Sequence, residues 1–287
     1  MFPENLQFPI EQPVNDFVDW LVRTHGESFE AFSSVILNLL LKVEGLLRYL
    51  PWWGVILIVA ALIFGASRKL ALTLMVVISM MLIGVLGMWD LAMQTLALMI
   101  FAVLVTIVLG IPLGILMALS PRMRWLLDPM LDAMQTLPSF VYLIPAMMLF
   151  GLGKVPALFA TVIYAAPPLI RLTELGIRSV NEDAVEASLA FGATRSQLLL
   201  KVQLPLALPS LMTGINQATM MALSMVVIAS MIGARGLGEQ VLYGIQRLDV
   251  GRGFTAGICI VLLAVVFDRI NQAWGKRLQT RFGKGVS

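Results

Sequence analysis

Residues 171–203 read RLTELGIRSVNEDAVEASLAFGATRSQLLLKVQ and run straight into LPLALP at 204–209. The segment lies between two long apolar stretches, about 155 to 170 and 211 to 232, and its middle is built as two short helices. Asn181 can cap the first, through Glu182, Asp183 and on to Ala190, with an acidic first turn that suits the helix dipole. Gly192 breaks that helix. Thr194 caps a second, SQLLLKVQ, which stops where Pro205 starts the next apolar element. The expected product is an L-shaped helix pair held between two membrane crossings.

Working outward, the whole chain supports that setting. Of 287 residues 59% are hydrophobic and 13% charged, with a mean hydropathy of +0.89, whereas a soluble domain carries about 25% charge. A water-soluble globule is excluded; most of the apolar surface has to face lipid. Nearly uncharged stretches at about 52 to 66, 70 to 88, 92 to 117, 138 to 153, 155 to 170, 211 to 232 and 253 to 268 predict seven spans in an all-α polytopic protein. Only Lys154 separates the fourth from the fifth, so a re-entrant pair is an alternative there. Gly110, Pro112 and Gly114 read as a tolerated kink more readily than as a hinge. Gly151, Gly153 and Pro156 mark a turn, and Pro167 with Pro168 a span end.

Lys and Arg orient the spans. Thirteen fall on one side of the seven-span arrangement: Arg68, Lys69, Arg122, Arg124, Arg171, Arg178, Arg195, Lys201, Arg269, Lys276, Arg277, Arg281 and Lys284. Seven fall on the other, three of them before the first span. The excess predicts a cytoplasmic C-terminus and an outer N-terminus. The net charge of +3 fits membrane anchoring and gives no reason to expect nucleic acid. Residues 1–51 form an acidic extension, in which 1–19 read as an extended tail and 28–50 place apolar residues at helical spacing, as an interfacial helix would.

Several chemistries drop out. One cysteine, Cys259, and one histidine, His25, leave no disulfide, histidine-rich metal site or thiol dyad, and no intramembrane enzyme constellation is visible. The absence of a G-x-x-x-x-G-K-[ST] signature means that the chain does not itself cradle nucleotide phosphates. GARGLGEQ at 233–240 reads as a flexible outer loop. No Asp, Glu, Lys or Arg lies deep within the spans, which argues against the second function class, a stand-alone secondary transporter or channel with its own coupling charges.

The loop carries a resemblance. Glu186, Ala187 and Ser188, then Gly192 after three residues, then Val202, Leu204 and Pro205 after nine more, resemble the EAA loop of ABC-importer permeases, with Ser188 for the second Ala and Val202 for Ile. Glu, Ala, Gly, Leu and Pro at those offsets arise by chance on the order of once in a thousand such chains. The likeness extends over 90–275, and LMIFAVLVTIVLGIPLGILMA, DAMQTLPSFVYLIPAMMLFGLG and IASMIGARGLGEQVLYGIQRLDVGRGF resemble the permeases of glycine betaine/proline betaine systems.

The resemblance implies a domain order: two additional spans at 52–89, a type I importer core at 90–275 containing the coupling loop 171–203, and a basic cytoplasmic tail at 276–287. It implies a permease in the bacterial inner membrane that pairs with a second copy of itself, with two cytoplasmic ATPase subunits and with an extracytoplasmic binding protein. No cofactor is expected in this chain, ATP and Mg belonging to the partner ATPase. The implied solute is glycine betaine, proline betaine or a similar osmoprotectant, with choline as the alternative. Asn216, Gln217, Thr219 and Ser224 could line the pathway, although such groups more often bond between helices. Tyr142, Tyr164 and Phe140 could offer cation-π faces to a quaternary ammonium, although aromatic residues near span ends are commonly interface anchors.

Overall fold

A computed structural model describes residues 10–283, with side chains through residue 278. The described residues are almost entirely helical and contain no strand. The helices are α1 (Glu11–Tyr49), α2 (Trp52–Ser67), α3 (Leu70–Val85), α4 (Trp89–Leu119), α5 (Pro121–Thr136), α6 (Leu143–Phe150), α7 (Lys154–Arg178), α8 (Glu182–Ala190), α9 (Arg195–Leu198), α10 (Leu204–Ala229), α11 (Leu237–Gln246) and α12 (Val250–Gly283).

Among these, α4, α7, the run from Arg195 to Ile232 and α12 are long and apolar enough to cross a membrane, and α7 lies at the centre: 72% of its apolar window is buried, against 22% for α12. Helix α7 packs chiefly on α4 and α10. Close approach to α4 depends on Gly114, where an added Cβ would stand 2.6 Å from the Thr173 Cβ and 2.7 Å from the Ile170 carbonyl oxygen. Gly110 likewise faces Leu169. Helix α4 continues through Pro112, so this Gly-Pro-Gly stretch serves as a packing surface.

The remaining crossings differ from the seven straight spans that hydropathy predicts. Helices α1 and α2 meet at 103°, and α5 meets the segment Ser139–Phe150 at 112°. The expected span at 138 to 153 is therefore half of a bent pair, opened by Pro138 and a 3-10 turn over Ser139–Tyr142. Helices α2 and α3, at 16 residues each, reach about 24 Å against a hydrocarbon core of about 30 Å.

Three other boundaries are corrected. Helix α7 runs through Pro167 and Pro168 to Arg178, eight residues past the expected end, because both prolines are buried among neighbouring helices. Residues 11–19 belong to the 39-residue helix α1 and are not extended; residues 1–9 lie outside the described residues, as do 284–287 of the expected tail. The C-terminal half of α1 is more than an interfacial anchor. Leu40 and Glu44 are buried, Phe29 and Phe32 meet Phe150 and Phe159, and Glu44 is ion-paired with Lys154 at the start of α7.

Candidate functional site

The segment 179–205 folds as its caps dictate. The Asn181 side chain accepts from the Asp183 amide at 2.9 Å and opens α8. At the other end Gly192 takes φ +81°, and the amides of Gly192 and Ala193 donate to Leu189 O and Ser188 O at 2.9 and 3.0 Å. That left-handed position closes orphan carbonyls at a conformation a side chain would resist. Thr194 and Gln197 form a reciprocal capping box at 3.3 and 2.9 Å. The second helix does not stop at Pro205. It passes through a π-turn over Leu199–Gln203 into α10, the wider turn falling where Pro205 has no N–H to give to the preceding turn.

Helix α8 contains no buried residue. Glu186 and Ala187 are exposed, Ser188 is half-buried, and the Ser188 hydroxyl donates back to Ala184 O at 2.7 Å. Glu186 borders a hollow of about 260 Å³ with Leu119, Arg178, Val180 and Gln203. Val202, Leu204 and Pro205, at the far end of the motif, are half-buried where the segment joins α10. Leu189 is half exposed and Phe191, beside the Gly turn, is 93% exposed. Phe191 is the residue that motif spacing overlooked: it sits at none of the fixed offsets, and only its apolar character in a polar loop could have flagged it.

Behind the loop lies an ion cluster that hydropathy also overlooked. Glu174, buried near the end of α7, meets Arg178 at 3.3 Å and Arg124 of α5 at 3.5 Å. One turn away Arg171 pairs with Asp132 of α5. These contacts tie α5 to the end of α7 from which the loop departs, so the exposed helix rises from a braced base.

The candidate pathway residues separate into two groups. Asn216 and Thr219 face α12: Asn216 donates to Asp268 at 3.3 Å, and Asn271 donates to Asn216 at 3.4 Å and to Thr219 at 3.1 Å. Asp268, at the edge of the last apolar stretch, thus lies well within α12 and is satisfied by Asn216 and by Gln272 at 2.7 Å. Gln217 and Ser224, with Thr213 and Met220, lie on an adjacent, exposed strip of α10. The Tyr142 and Tyr164 rings stand 6.1 Å apart; the Tyr142 hydroxyl donates to Met134 O, and Phe140 is exposed. Tyr164 lies ten residues into α7, away from either helix end.

On the other side of the molecule, GARGLGEQ is not a flexible loop. Leu237 is fully buried and its amide donates to Thr95 at 2.9 Å, while α11 packs against α12. The Arg252 guanidinium donates to Gln240 at 2.6 Å and lies 5.5 Å from the Tyr243 ring centre. Gly238 in this stretch and Gly244 farther along α11 permit close helix contact, since an added Cβ would stand 2.8 Å from the Val227 Cα and 2.6 Å from the Gly253 Cα respectively.

Residues 110–280 match the family described as "Binding-protein-dependent transport system inner membrane component". The chain belongs to that family. This permease is 47% identical over 273 residues to the glycine betaine/proline betaine transport system permease protein ProW of Escherichia coli (strain K12), covering 95% of this chain and 77% of that one. It is 43% identical over 266 residues to the glycine betaine transport system permease protein OpuAB of Bacillus subtilis (strain 168), covering 93% and 94%. Its fold is similar to a chain of the MetNI methionine ABC transporter in an inward-facing conformation, with a TM-score of 0.56 and 24% identity over 66% of this chain and 93% of that one. It is a multi-pass inner-membrane permease of a type I ABC importer, a transport component and not an enzyme; ATP hydrolysis belongs to a separate subunit.

Proposed function

We propose that this permease moves glycine betaine, proline betaine or a closely similar zwitterion inward, with α8 as the element through which ATP hydrolysis is felt. The observation that carries the coupling role is a short helix, capped at both ends and with no buried residue, that is joined through the Gly192 turn and α9 to the π-turn leading into α10. A rigid projection of this kind moves with the crossing to which it is attached. Glu186, Ala187, Ser188 and Phe191 form its contact side, Gly192 its reversal, and Val202, Leu204 and Pro205 its junction with α10.

In this reading the loop is cytoplasmic, the N-terminus is outside and the C-terminus inside, as the Lys and Arg asymmetry favours. Two copies of the permease pair, two ATPase subunits holding ATP and Mg dock on their loops, and a binding protein delivers solute from the outer side. The exposed face of α10 with Gln217 and Ser224 faces the pathway, and Tyr164 offers an aromatic face to the ammonium group. Asn216 and Thr219 act one layer out, by fixing α10 on α12. The solute class rests on the names of the relatives and on charge: a zwitterion of zero net charge needs no fixed counter-charge along its route.

The deciding experiment is uptake of radiolabelled glycine betaine by proteoliposomes containing the permease, its ATPase and its binding protein. Accumulation should require all three and ATP on the ATPase side. Gradient-driven uptake by the permease alone would overturn the coupling reading. Accumulation of a sugar or a charged amino acid with betaines ignored would overturn the solute class and leave the coupling role intact.

A further inference from the structure

We propose that α1 lies along the outer boundary of the bilayer over its whole length and seats one apolar face among lipid acyl chains, including the stretch before Phe29, in which no described residue is buried. At 3.6 residues per turn, Ile10, Val14, Phe17, Phe32, Val35 and Leu46 fall within one sector of about 80°. Each is more than half exposed. Ser28 is the one polar residue in that sector between Ile10 and Leu46. About a third of a turn away, Ile36, Leu40 and Glu44 face the core: Ile36 and Leu40 pack with α4 and α7 residues, and Glu44 is ion-paired with Lys154. The remaining side carries Asp16, Asp19, Glu27 and Glu30, all exposed. Three faces so divided are what a helix shows when protein lies on one side of it, lipid on the second and water on the third.

The direction of α1 places that face at the membrane. Helix α2 contains no charged residue and enters the hydrocarbon; α1 meets it at 103° and therefore runs along the surface. At the corner Tyr49, Trp52 and Trp53 are exposed, the aromatic side chains that settle where hydrocarbon gives way to water. Leu57 of α2, also exposed, continues the apolar surface into the bilayer. Lys42, at the edge of the stripe, has a stem long enough to carry its ammonium up to water.

The same division selects lipid over a protein partner, and acyl chains over headgroup charge. A soluble protein approaching from the water would meet the four acids and not the stripe. A second copy would have to follow the stripe for about 54 Å from Ile10 to Leu46, whereas the bilayer is present along all of it. Against the four acids the same side sets only Arg23, so anionic headgroups repel this helix and its seat depends on apolar contact. Through Glu44 and Lys154, and through the Phe29 ring against Phe150, the seated helix is fixed to the outer end of α7. The choice of the outer leaflet rests on the orientation proposed above; the seating in lipid does not.

The test is spin labelling of the full chain in phosphatidylcholine liposomes, in a Cys259→Ala background, with one nitroxide at a time on Val14→Cys, Phe17→Cys or Val35→Cys and, on the acidic side, on Asp16→Cys, Asp19→Cys or Glu30→Cys. Collision with oxygen, which concentrates in lipid, and with a water-soluble nickel chelate reads the surroundings of each label. The three stripe labels should favour oxygen and report a depth of about 5–10 Å into the headgroup and acyl boundary; the three acidic-side labels should favour the chelate. All six positions are exposed, so the core is left intact. Adding Phe17→Glu should move the Val14 label into water. Stripe labels that meet the chelate as freely as the acidic-side labels overturn the seat. Stripe labels reached by neither reagent show a protein cover and overturn lipid as the occupant, and a depth attained only when phosphatidylglycerol is added overturns the apolar basis. None of these outcomes involves transport, so they remain separate from success or failure of the uptake experiment.

Discussion

Two glycine-bearing connections, FGATRSQ at 191–197 and GARGLGEQ at 233–240, look alike as strings and fold to opposite ends. In the first, Gly192 has open space around its missing Cβ and Phe191 stands in solvent, while the flanking helices hold their shape by caps alone. In the second, Leu237 is buried against Thr95 and an added Cβ at Gly238 would stand 2.8 Å from the Val227 Cα. The difference teaches what each glycine is for. One permits a turn in a segment left for a partner, and the other permits two helices of the same chain to touch.

Substitutions that treat the two alike should therefore give unlike results. The largest effect on the protein itself is expected from Gly238→Val, since the new side chain meets the backbone of α10 and cannot be relieved by a side-chain rotation. Overpacking of this kind costs about 3 kcal/mol, read as a fall in membrane abundance and melting temperature. Unchanged melting would show that α11 is not seated as described. Gly192→Val costs less in stability, about 1–2 kcal/mol for a side chain held at positive φ, yet should abolish coupled uptake, as should Glu186→Lys. Both should stay abundant, and normal uptake in both would remove the coupling role.

Smaller effects sharpen the same contrast. Asn181→Ala and Thr194→Ala each remove one cap and should lower stability by about 1 kcal/mol, with uptake reduced in proportion to the fraying of α8. A loss in melting temperature as large as that of Gly238→Val would mean that the loop is packed and not merely capped. Smallest of all is Ser188→Ala, which deletes a hydroxyl bonded only to its own helix and restores the residue that the motif prefers. It should change stability by less than about 0.5 kcal/mol and leave uptake intact; a marked loss would assign the hydroxyl a partner outside this chain.

The exposed loop was the more legible of the two regions, and the reason is physical. Asn181, Gly192 and Thr194 act on neighbours two to four residues away, so their signals are written in local order. The helical membrane class was legible too, because hydropathy reports composition along the chain. What hydropathy does not report is who faces whom. Pro167 and Pro168 look like a terminus until α4 and α10 enclose them, and Pro138 opens a bend where an uninterrupted apolar run suggests a span. Glu44, Glu174 and Asp268 lie at the edges of apolar stretches, and their partners are Lys154 at 110 positions away, Arg124 at 50 and Asn216 at 52. The burial of α11 depends on Thr95, more than a hundred residues earlier.

The claim at the centre of this account is that α8 is the face this permease turns toward its ATPase. It is tested most directly by placing a single cysteine at Phe191 in a Cys259→Ala background, with a second protein carrying it at Glu239 of α11, and treating each assembled complex with a short thiol-directed photocrosslinker. The account predicts a crosslink to the ATPase subunit from position 191 and none from position 239. An abundant, assembled complex that gives no ATPase product from 191, or gives one from 239, would contradict it.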